Sequence, residues 1–256
     1  MKKKLKMFIR FFGYELKNLK TPRDSKILNN RPVGRMDTFL EDLKIRGLEC
    51  KTILDVGANS SSWSRIAKKI FPEAYFYLIE PQVEMEEKLK AFTNEFSNSA
   101  YLLQGAGAKK EILTLTIWED LAGSSLLPRE EEKLLSNGKQ RKIEIVAIND
   151  LIEGDKIRMP ELIKLDIQGF ELEALKGATK TFGHTEVYIL EVSLFPFSDG
   201  LDMPVMSDVI NFMLGYDYVV YDFAGFLRRP LDGALGQCDI CFVKKNSFLR
   251  KSNEWQ

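Results

Sequence analysis

The chain has 256 residues, a length that suits one α/β domain with a full core and a modest extension. Lysine plus arginine and aspartate plus glutamate number 37 each, so the formal net charge is zero. Because proteins that bind nucleic acids usually carry a basic excess, this balance counts against a DNA or RNA substrate. Three cysteines are too few for a disulfide framework, and they favour a reduced, cytoplasmic location.

The N-terminal region is predicted to be a helical extension that covers residues 1–48. Residues 2–20 are rich in lysine and carry apolar residues at helical spacing, and a second helix is expected over residues 35–46. The first helix either packs on the domain, which we favour, or lies on a membrane surface as a basic amphipathic helix. Its apolar run is short and Arg10 interrupts it, so we expect no signal peptide. Elsewhere no stretch approaches the roughly 20 apolar residues that span a bilayer.

Residues 49–256 alternate between short apolar segments and amphipathic ones, which predicts a single α/β domain. Repeated strand–helix units form a parallel sheet with helices on both faces, the doubly wound, Rossmann-like architecture. Five parallel strands are predicted over residues 52–56, 75–80, 100–104, 162–167 and 187–192. The helices of this domain are predicted over residues 63–71, 83–96, 170–182 and 205–214.

Two features depart from this alternation. After the third strand, residues 112–118 and 143–148 alternate apolar and polar side chains, which predicts an inserted pair of half-exposed strands. The last two strands, over residues 218–223 and 238–244, have only a loop over residues 224–236 between them. Because a parallel connection needs a longer crossover, these two strands are predicted to form a C-terminal antiparallel hairpin.

The turns after the strands predict a nucleoside cofactor, because open α/β sheets bind ligands beyond the carboxyl ends of their strands. Residues 55–60 read DVGANS, a turn with a single glycine. A pyrophosphate needs a cluster of glycines, so NAD and FAD are disfavoured, and a cofactor without phosphates, such as S-adenosylmethionine, is favoured. Asp55 and this turn would face the amino-acid end of that cofactor.

At the end of the second strand, Glu80 is predicted to accept both ribose hydroxyls. The alternative is a solvated carboxylate at a strand end, but its place one strand–turn–helix–strand unit after Asp55 favours the ribose contact. After the third strand, Gly105 and Ala106 would border the adenine. The predicted cofactor-binding residues are Asp55, Gly57, Asn59, Ser60, Glu80, Gly105, Ala106 and Asp166.

Five segments carry a resemblance to a known family, in the order that the family shares: ILDVGANSSSWS, YLIEP, GSSL, LIKLDIQGFELEALKGA and CDICFVKK. Through these segments, which run over roughly residues 52–245, the chain resembles the FkbM-like methyltransferases. The fourth segment is the most specific, because its register fixes a strand, a sharp turn and a helix together. The resemblance implies S-adenosylmethionine as cofactor and a hydroxyl, often on a sugar or natural product, as acceptor. One departure is the NSSS turn, where the family often has a further glycine after asparagine.

The fourth strand carries the candidate catalytic residues. Methyl transfer requires a positioned acceptor and, for a hydroxyl, a group that takes its proton. Lys164 and Asp166 stand two residues apart and project on one face of the strand, and such a charged pair is costly to bury unless its charges are paired. We predict that Asp166 abstracts or orients the acceptor proton and that Lys164 tunes it; a structural ion pair is the alternative. Glu191, at the end of the fifth strand, is a second candidate base and could share a magnesium ion with Asp166.

The acceptor is predicted to contact two loops over the cleft, at residues 119–140 and 193–203. The candidate polar contacts are Ser124, Ser125 and Gln168, with an ordinary polar turn as the alternative for the serines. Three aromatic residues in or beside the loops could stack on a sugar ring or pack locally, namely Trp118, Phe195 and Phe197.

Other polar residues are predicted to have structural roles. Glu171 follows the fourth strand, where a helix N-terminus favours an acid. His184 precedes the fifth strand, at the end away from the cleft, and is expected on the surface. Cys238 and Cys241 are three apart in a strand and point to opposite faces, so they suit neither a shared metal nor a disulfide.

Taken together, the sequence predicts an S-adenosylmethionine-dependent O-methyltransferase that acts on a hydroxyl of a sugar, glycan or related natural product. One alternative is methylation of nitrogen, but residues 166–169 read DIQG rather than the Asn/Asp-Pro-Pro-aromatic turn of enzymes that methylate base nitrogens. The other is a non-catalytic module that binds S-adenosylmethionine. Oligomeric state cannot be read from the sequence.

Overall fold

The computed structural model describes residues 31–129, 131–252 and 254 of the chain, and residues 2–20 with their predicted helix lie outside this part. The strands are β1 (Thr52–Val56), β2 (Tyr75–Ile79), β3 (Ser99–Leu102), β4 (Gly105–Ala106), β5 (Glu111–Thr116), β6 (Gln140–Val146), β7 (Leu162–Leu165), β8 (Val187–Ser193), β9 (Tyr218–Arg228) and β10 (Leu235–Lys244). The α-helices are α1 (Met36–Ile45), α2 (Ser62–Ile70), α3 (Glu86–Glu95), α4 (Glu132–Ser136), α5 (Ile148–Glu153), α6 (Glu171–Lys176) and α7 (Met206–Leu214).

Seven strands form one large sheet in the order β3-β2-β1-β7-β8-β10-β9. The first five are mutually parallel, and β10 runs antiparallel to both β8 and β9. This confirms the predicted doubly wound sheet with five parallel strands and a C-terminal hairpin. The register places Asp55 beside Lys164 and Glu191 beside Asp239, which brings the charged residues to one edge of the sheet.

The hairpin is longer than its sequence predicts. β9 continues to Arg228 and β10 starts at Leu235, so most of the predicted loop over residues 224–236 is strand. Glycine is depleted in strands, and this segment is rich in glycine, so its sequence predicts a loop. Gly225 leaves room for the Asp239 side chain on the neighbouring strand, because a Cβ on it would lie 2.1 Å from Oδ2 of Asp239.

The inserted strands are present as β5 and β6, and they gain a third strand. Gly105 and Ala106 form β4, which pairs in parallel with β6, so the insertion is a small three-stranded sheet. A strand of two residues has no detectable periodicity, so the sequence could not predict it. The predicted strand over residues 143–148 starts earlier and ends at Val146, and Ile148 already belongs to α5.

Two apolar layers cover the two faces of the large sheet. In one layer α1 contributes Phe39, Leu40 and Leu43, all fully buried, beside Ile53 of β1 and Cys241 of β10. The helix α1, which was predicted as part of the N-terminal extension, therefore packs in the core of the domain. The predicted domain boundary at residue 48 stays a prediction.

The described residues contain no helix that is long and apolar enough to cross a membrane. Both placements of the lysine-rich segment at residues 2–20, on the domain or on a membrane surface, stay predictions because this segment lies outside the described part. The cytoplasmic location also stays a prediction.

Candidate active site

The turn between β1 and α2 depends on one glycine and one buried acid. Gly57 has φ +80°, and a Cβ on it would lie 1.9 Å from the carbonyl oxygen of Asp166, so only glycine lets this turn pass the end of β7. Asp55 is buried in β1 and accepts a hydrogen bond from the Ser64 hydroxyl at 2.5 Å. Burial raises the pKa of Asp55 to about 7.

Glu80 follows β2 and is held by backbone groups on both sides. Its Oε2 accepts from the amide of Asn59 at 2.8 Å and its Oε1 from the amide of Gln82 at 2.9 Å. Burial raises the pKa of Glu80, although these hydrogen bonds lower it in part. Gln82 was not predicted as a site residue. Its side-chain oxygen is buried and has no hydrogen-bond partner among the described residues, so it can accept a bond from a ligand.

These residues line one narrow cleft between the carboxyl ends of β1, β2 and β7 and the inserted sheet. Its free volume is ≈ 40 Å³. The predicted site residues that line it are Gly57, Asn59, Glu80, Gly105, Ala106, Ser124, Ser125 and Asp166. Asp55 and Ser60 lie outside the lining: Asp55 is covered by Ser64, and the Ser60 hydroxyl lies 2.9 Å from that of Ser62.

Lys164 is a buried cation between two carboxylates. Its Nζ lies 3.1 Å from Oδ2 of Asp166 and 3.0 Å from Oδ1 of Asp239, and its side chain is 4% exposed. Burial opposes the charge on Lys164, but Asp166 and Asp239 hold its pKa above the usual range. Burial likewise opposes the charge on Asp166, but Lys164 overcomes it and lowers the pKa of this carboxyl. Asp166 is therefore ionised at neutral pH.

Gln168 joins Asp166 to Glu191. Its Nε2 donates to Oδ1 of Asp166 at 2.9 Å and to Oε2 of Glu191 at 2.7 Å, from a backbone with φ +53°. Gln237 of β10 also donates to Oε2 of Glu191, at 3.0 Å. Burial and the neighbouring Asp166 raise the pKa of Glu191. Of the two carboxyl groups, Glu191 therefore holds a proton more readily, and Asp166 is the carboxylate that can accept one.

The serines of the inserted loop use their hydroxyls to fix the loop. Ser125 donates to the carbonyl oxygen of Gln168 at 2.6 Å and accepts from the amide of Leu127 at 3.0 Å. Ser124 accepts from the amide of Trp118 at 3.3 Å. These bonds tie the inserted segment to the turn after β7, and the predicted acceptor contacts of both serines stay predictions.

Glu171 fixes the same turn from its other side. One carboxylate oxygen accepts from the amides of Ile167 at 3.0 Å and Gly169 at 3.3 Å. Burial raises the pKa of Glu171 to about 7. The structural role predicted for this residue agrees with these contacts.

A second cavity of ≈ 800 Å³, which we call the hairpin cavity, opens beside this network. Residues of α1, α2 and the β9–β10 hairpin line it, together with Glu191 of β8; the hairpin residues include Gln237 and Asp239. The sequence did not identify Gln237 or Asp239. Only the antiparallel register of β10 against β8, which sets Asp239 opposite Glu191, brings them to the site.

The remaining predicted residues lie away from both cavities. Trp118, Phe195 and Phe197 are 40%, 41% and 46% exposed, and the Arg229 guanidinium lies 4.2 Å from the centre of the Phe195 ring. Their stacking on an acceptor stays a prediction. His184 is exposed, as expected.

The magnesium hypothesis for Asp166 and Glu191 finds no support. Within the described part of the chain, no group of three or more histidine, cysteine, aspartate or glutamate residues could hold a metal ion. The amide of Gln168 occupies the position between the two carboxyl groups. Cys238 and Cys241 pack in opposite core layers, as their spacing predicts, and both thiols are free.

Known proteins with similar sequences are methyltransferases. The model of the methyltransferase FkbM domain matches residues 55–220, which is more than half of the chain. Methyltransferase sdnD from Sordaria araneosa is 26% identical over 153 residues, and the match covers 49% of this chain and 59% of that protein. The chain thus spans less than two thirds of the length of this curated relative.

Two solved structures that match much of the chain are also methyltransferases. The O-methyltransferase TomG from Streptomyces achromogenes, in complex with S-adenosylmethionine, is 10% identical with a TM-score of 0.47, and the match covers 94% of this chain and 88% of that one. Precorrin-6y C5,15-methyltransferase from Geobacter metallireducens is 14% identical with a TM-score of 0.46, with coverages of 81% and 87%. Identities this low and TM-scores below 0.5 carry no substrate or mechanism over to this chain.

Proposed function

Because this chain belongs to the FkbM methyltransferase family, we propose that it is an S-adenosylmethionine-dependent O-methyltransferase acting on a hydroxyl of a sugar, glycan or related natural product. The observation that carries the proposal is the convergence of Gly57, Glu80 and Asp166 in one cleft. A glycine turn, a carboxylate suited to ribose and a proton acceptor are the groups that methyl transfer to a bound hydroxyl requires. The zero net charge supports a small-molecule acceptor over a nucleic acid.

The donors and acceptors of the cleft fit this cofactor. Each oxygen of Glu80 accepts one backbone hydrogen bond and retains a lone pair for a ribose hydroxyl. The unpaired oxygen of Gln82 suits the amino group of adenine. Since a free volume of ≈ 40 Å³ admits only a few water molecules, the loop that carries Ala122 and Leu126 over the cleft would move outward when the cofactor enters.

The chemistry assigned to the residues follows from their charges. When bound, S-adenosylmethionine supplies a methyl group on a sulfonium, and the sulfur leaves as a neutral thioether while the acceptor oxygen bonds to the methyl carbon. Asp166 orients the acceptor hydroxyl and takes its proton as that bond forms. Lys164 and Gln168 each hold one oxygen of Asp166, and Lys164 keeps it ionised by lowering its pKa. Glu191, whose pKa burial and Asp166 raise, accepts from the same Gln168 amide.

An ionised Asp166 favours oxygen over nitrogen as the methylated atom. A neutral amine presents its lone pair without first losing a proton, whereas a hydroxyl becomes a good nucleophile only as its proton leaves. A module that merely bound the cofactor would have no use for a proton acceptor in the cofactor cleft.

Calorimetric titration of S-adenosylmethionine tests the cofactor. We expect micromolar binding to the wild type and binding weakened by about tenfold or more in Glu80→Ala, because two charge-assisted hydrogen bonds to ribose are lost. The matched control Glu87→Ala, on α3 with a side chain that is 85% exposed, should bind like the wild type. Absence of binding to the wild type would refute the proposed function. If S-adenosylmethionine binds, release of S-adenosylhomocysteine in the presence of candidate glycosides would distinguish an enzyme from a non-catalytic binding module.

A further inference from the structure

We propose that the acceptor occupies the hairpin cavity and that this cavity selects uncharged hydroxyl compounds over anionic ones. The inference rests on the proposed function, because it assigns a place to the compound that is methylated. The lining residues on which it depends are Met36 and Glu41 of α1, Ile66 of α2, Phe226 of β9, and Gln237 and Asp239 of β10.

The Gln168 amide links one residue of the cofactor cleft to one residue of the hairpin cavity. Asp166 lines the cleft and Glu191 lines the hairpin cavity. The Nε2 atom of Gln168 donates to Asp166 at 2.9 Å and to Glu191 at 2.7 Å, so a single amide group separates the two carboxyl groups. An acceptor in the hairpin cavity would therefore lie beside the hydrogen-bond network that holds Asp166.

The size of the hairpin cavity suits a whole acceptor molecule. Its ≈ 800 Å³ lies within the range of roughly 300–1,000 Å³ that is usual for small-molecule sites. The cofactor cleft, at ≈ 40 Å³ and bounded by the inserted sheet, leaves no comparable space for a second compound.

The charges around the hairpin cavity disfavour an anion. Arg35 is hydrogen-bonded to Asp37 at 3.1 and 2.7 Å, and the buried ammonium of Lys164 is shared by two carboxylates, Asp166 and Asp239. Among the lining residues that the structure describes, three carboxylates, Asp37, Glu41 and Asp239, outnumber two cations, Arg35 and Lys69; Glu191 also lines the cavity but is not counted, because burial raises its pKa. A phosphate or carboxylate on the acceptor would meet like charge, whereas the hydroxyls of a neutral ring can donate to these carboxylates.

Part of the wall of the hairpin cavity is apolar. Met36, Ile66 and Phe226 form a surface for the apolar face of a ring compound, with Phe226 47% exposed.

Saturation-transfer NMR on the full chain tests the inference, with S-adenosylhomocysteine present at saturating concentration. The compounds tested for binding are a panel of neutral methyl glycosides and glucose 6-phosphate. We expect signals from a neutral glycoside and none from the phosphate. Ile66→Trp should fill the hairpin cavity and raise the dissociation constant of the glycoside by about tenfold or more. Ile112→Trp, whose residue is 66% exposed on the inserted sheet, is the matched control and should bind as the wild type does.

A charge-reversal pair tests selectivity independently of packing. Glu41→Lys, at an exposed position on the cavity rim, should allow binding of glucose 6-phosphate, whereas Glu87→Lys on α3 should not. Phosphate binding by the wild type, unchanged glycoside binding in Ile66→Trp, or no signal from any glycoside would overturn the inference. Calorimetry with S-adenosylmethionine distinguishes failure of this inference from failure of the proposed function. If S-adenosylmethionine still binds, only the assignment of the acceptor to the hairpin cavity is wrong. If it does not bind, the proposed function is wrong.

Discussion

Lys164 on β7 and Asp239 on β10 form an ion pair with an Nζ–Oδ1 distance of 3.0 Å, although β8 lies between their strands. The pair reaches across the intervening strand at its carboxyl end, where Glu191 stands opposite Asp239. Gly225 makes this conformation of Asp239 sterically accessible. A single buried cation thus holds two carboxylates, Asp166 directly after β7 and Asp239 on β10.

Removing that cation should destabilise the fold. In Lys164→Met, Asp166 and Asp239 lose their common partner, and breaking a buried pair typically costs about 3–5 kcal/mol. Urea unfolding would measure the change in the free energy of unfolding. Lys176→Met, at a side chain that is 51% exposed, is the control and should leave stability almost unchanged. Equal effects of the two substitutions would contradict a central role for Lys164.

Two isosteric substitutions distinguish the base from its neighbour. Asp166→Asn removes an ionised carboxylate, so kcat should fall by about 10²–10⁴ while S-adenosylmethionine still binds. Glu191→Gln replaces a group whose raised pKa favours its protonated form, and kcat at pH 7 should change only a few-fold. Initial rates of S-adenosylhomocysteine formation with a productive acceptor provide the measurement. The reverse order of effects would make Glu191 the base.

Gly57→Ala should lower the free energy of unfolding by more than its unfavourable φ angle alone would. Gly183 has φ +83°, close to the +80° of Gly57, but a Cβ on Gly183 would meet no atom within 4 Å. Gly183→Ala therefore measures the backbone strain, about 1–2 kcal/mol. Gly57→Ala adds a clash with the carbonyl of Asp166, so it should unfold at lower urea and bind S-adenosylmethionine more weakly. Similar stabilities of the two variants would show that the turn relaxes freely.

The stability of the ligand-free protein should fall as the pH rises from about 5 to 7. Unfolded carboxyl groups titrate near pH 4, whereas burial raises the pKa of Asp55 and Glu171 to about 7. The folded state therefore holds more protons in this range, and stability decreases as they are lost. Asp166, whose pKa is lowered, is already ionised in this range and does not offset the trend.

Glu171→Gln provides the matched test of this pH dependence. The amide oxygen can still accept from the amides of Ile167 and Gly169, but it no longer titrates. Thermal melting should therefore show a flatter dependence of Tm on pH than in the wild type. An unchanged slope would mean that Glu171 does not contribute to it.

The sequence by itself determined the features that depend on local periodicity and on strand ends. Five parallel strands, the closing hairpin, the single-glycine turn at Gly57 and the common face of Lys164 and Asp166 all follow from spacing along one segment. Glu80 was found in the same way, as the last residue before a turn.

The tertiary structure decided which residues meet and which of them are charged. Gln237 and Asp239 join the site only through strand register, and β4 exists only because β6 lies beside it. The Ser125 hydroxyl donates its hydrogen bond to the carbonyl oxygen of Gln168, which is 43 positions away in the chain. The division of charge between Asp166 and Glu191 follows from burial beside one lysine. Burial and register arise from packing between distant segments, and spacing along a single segment contains neither.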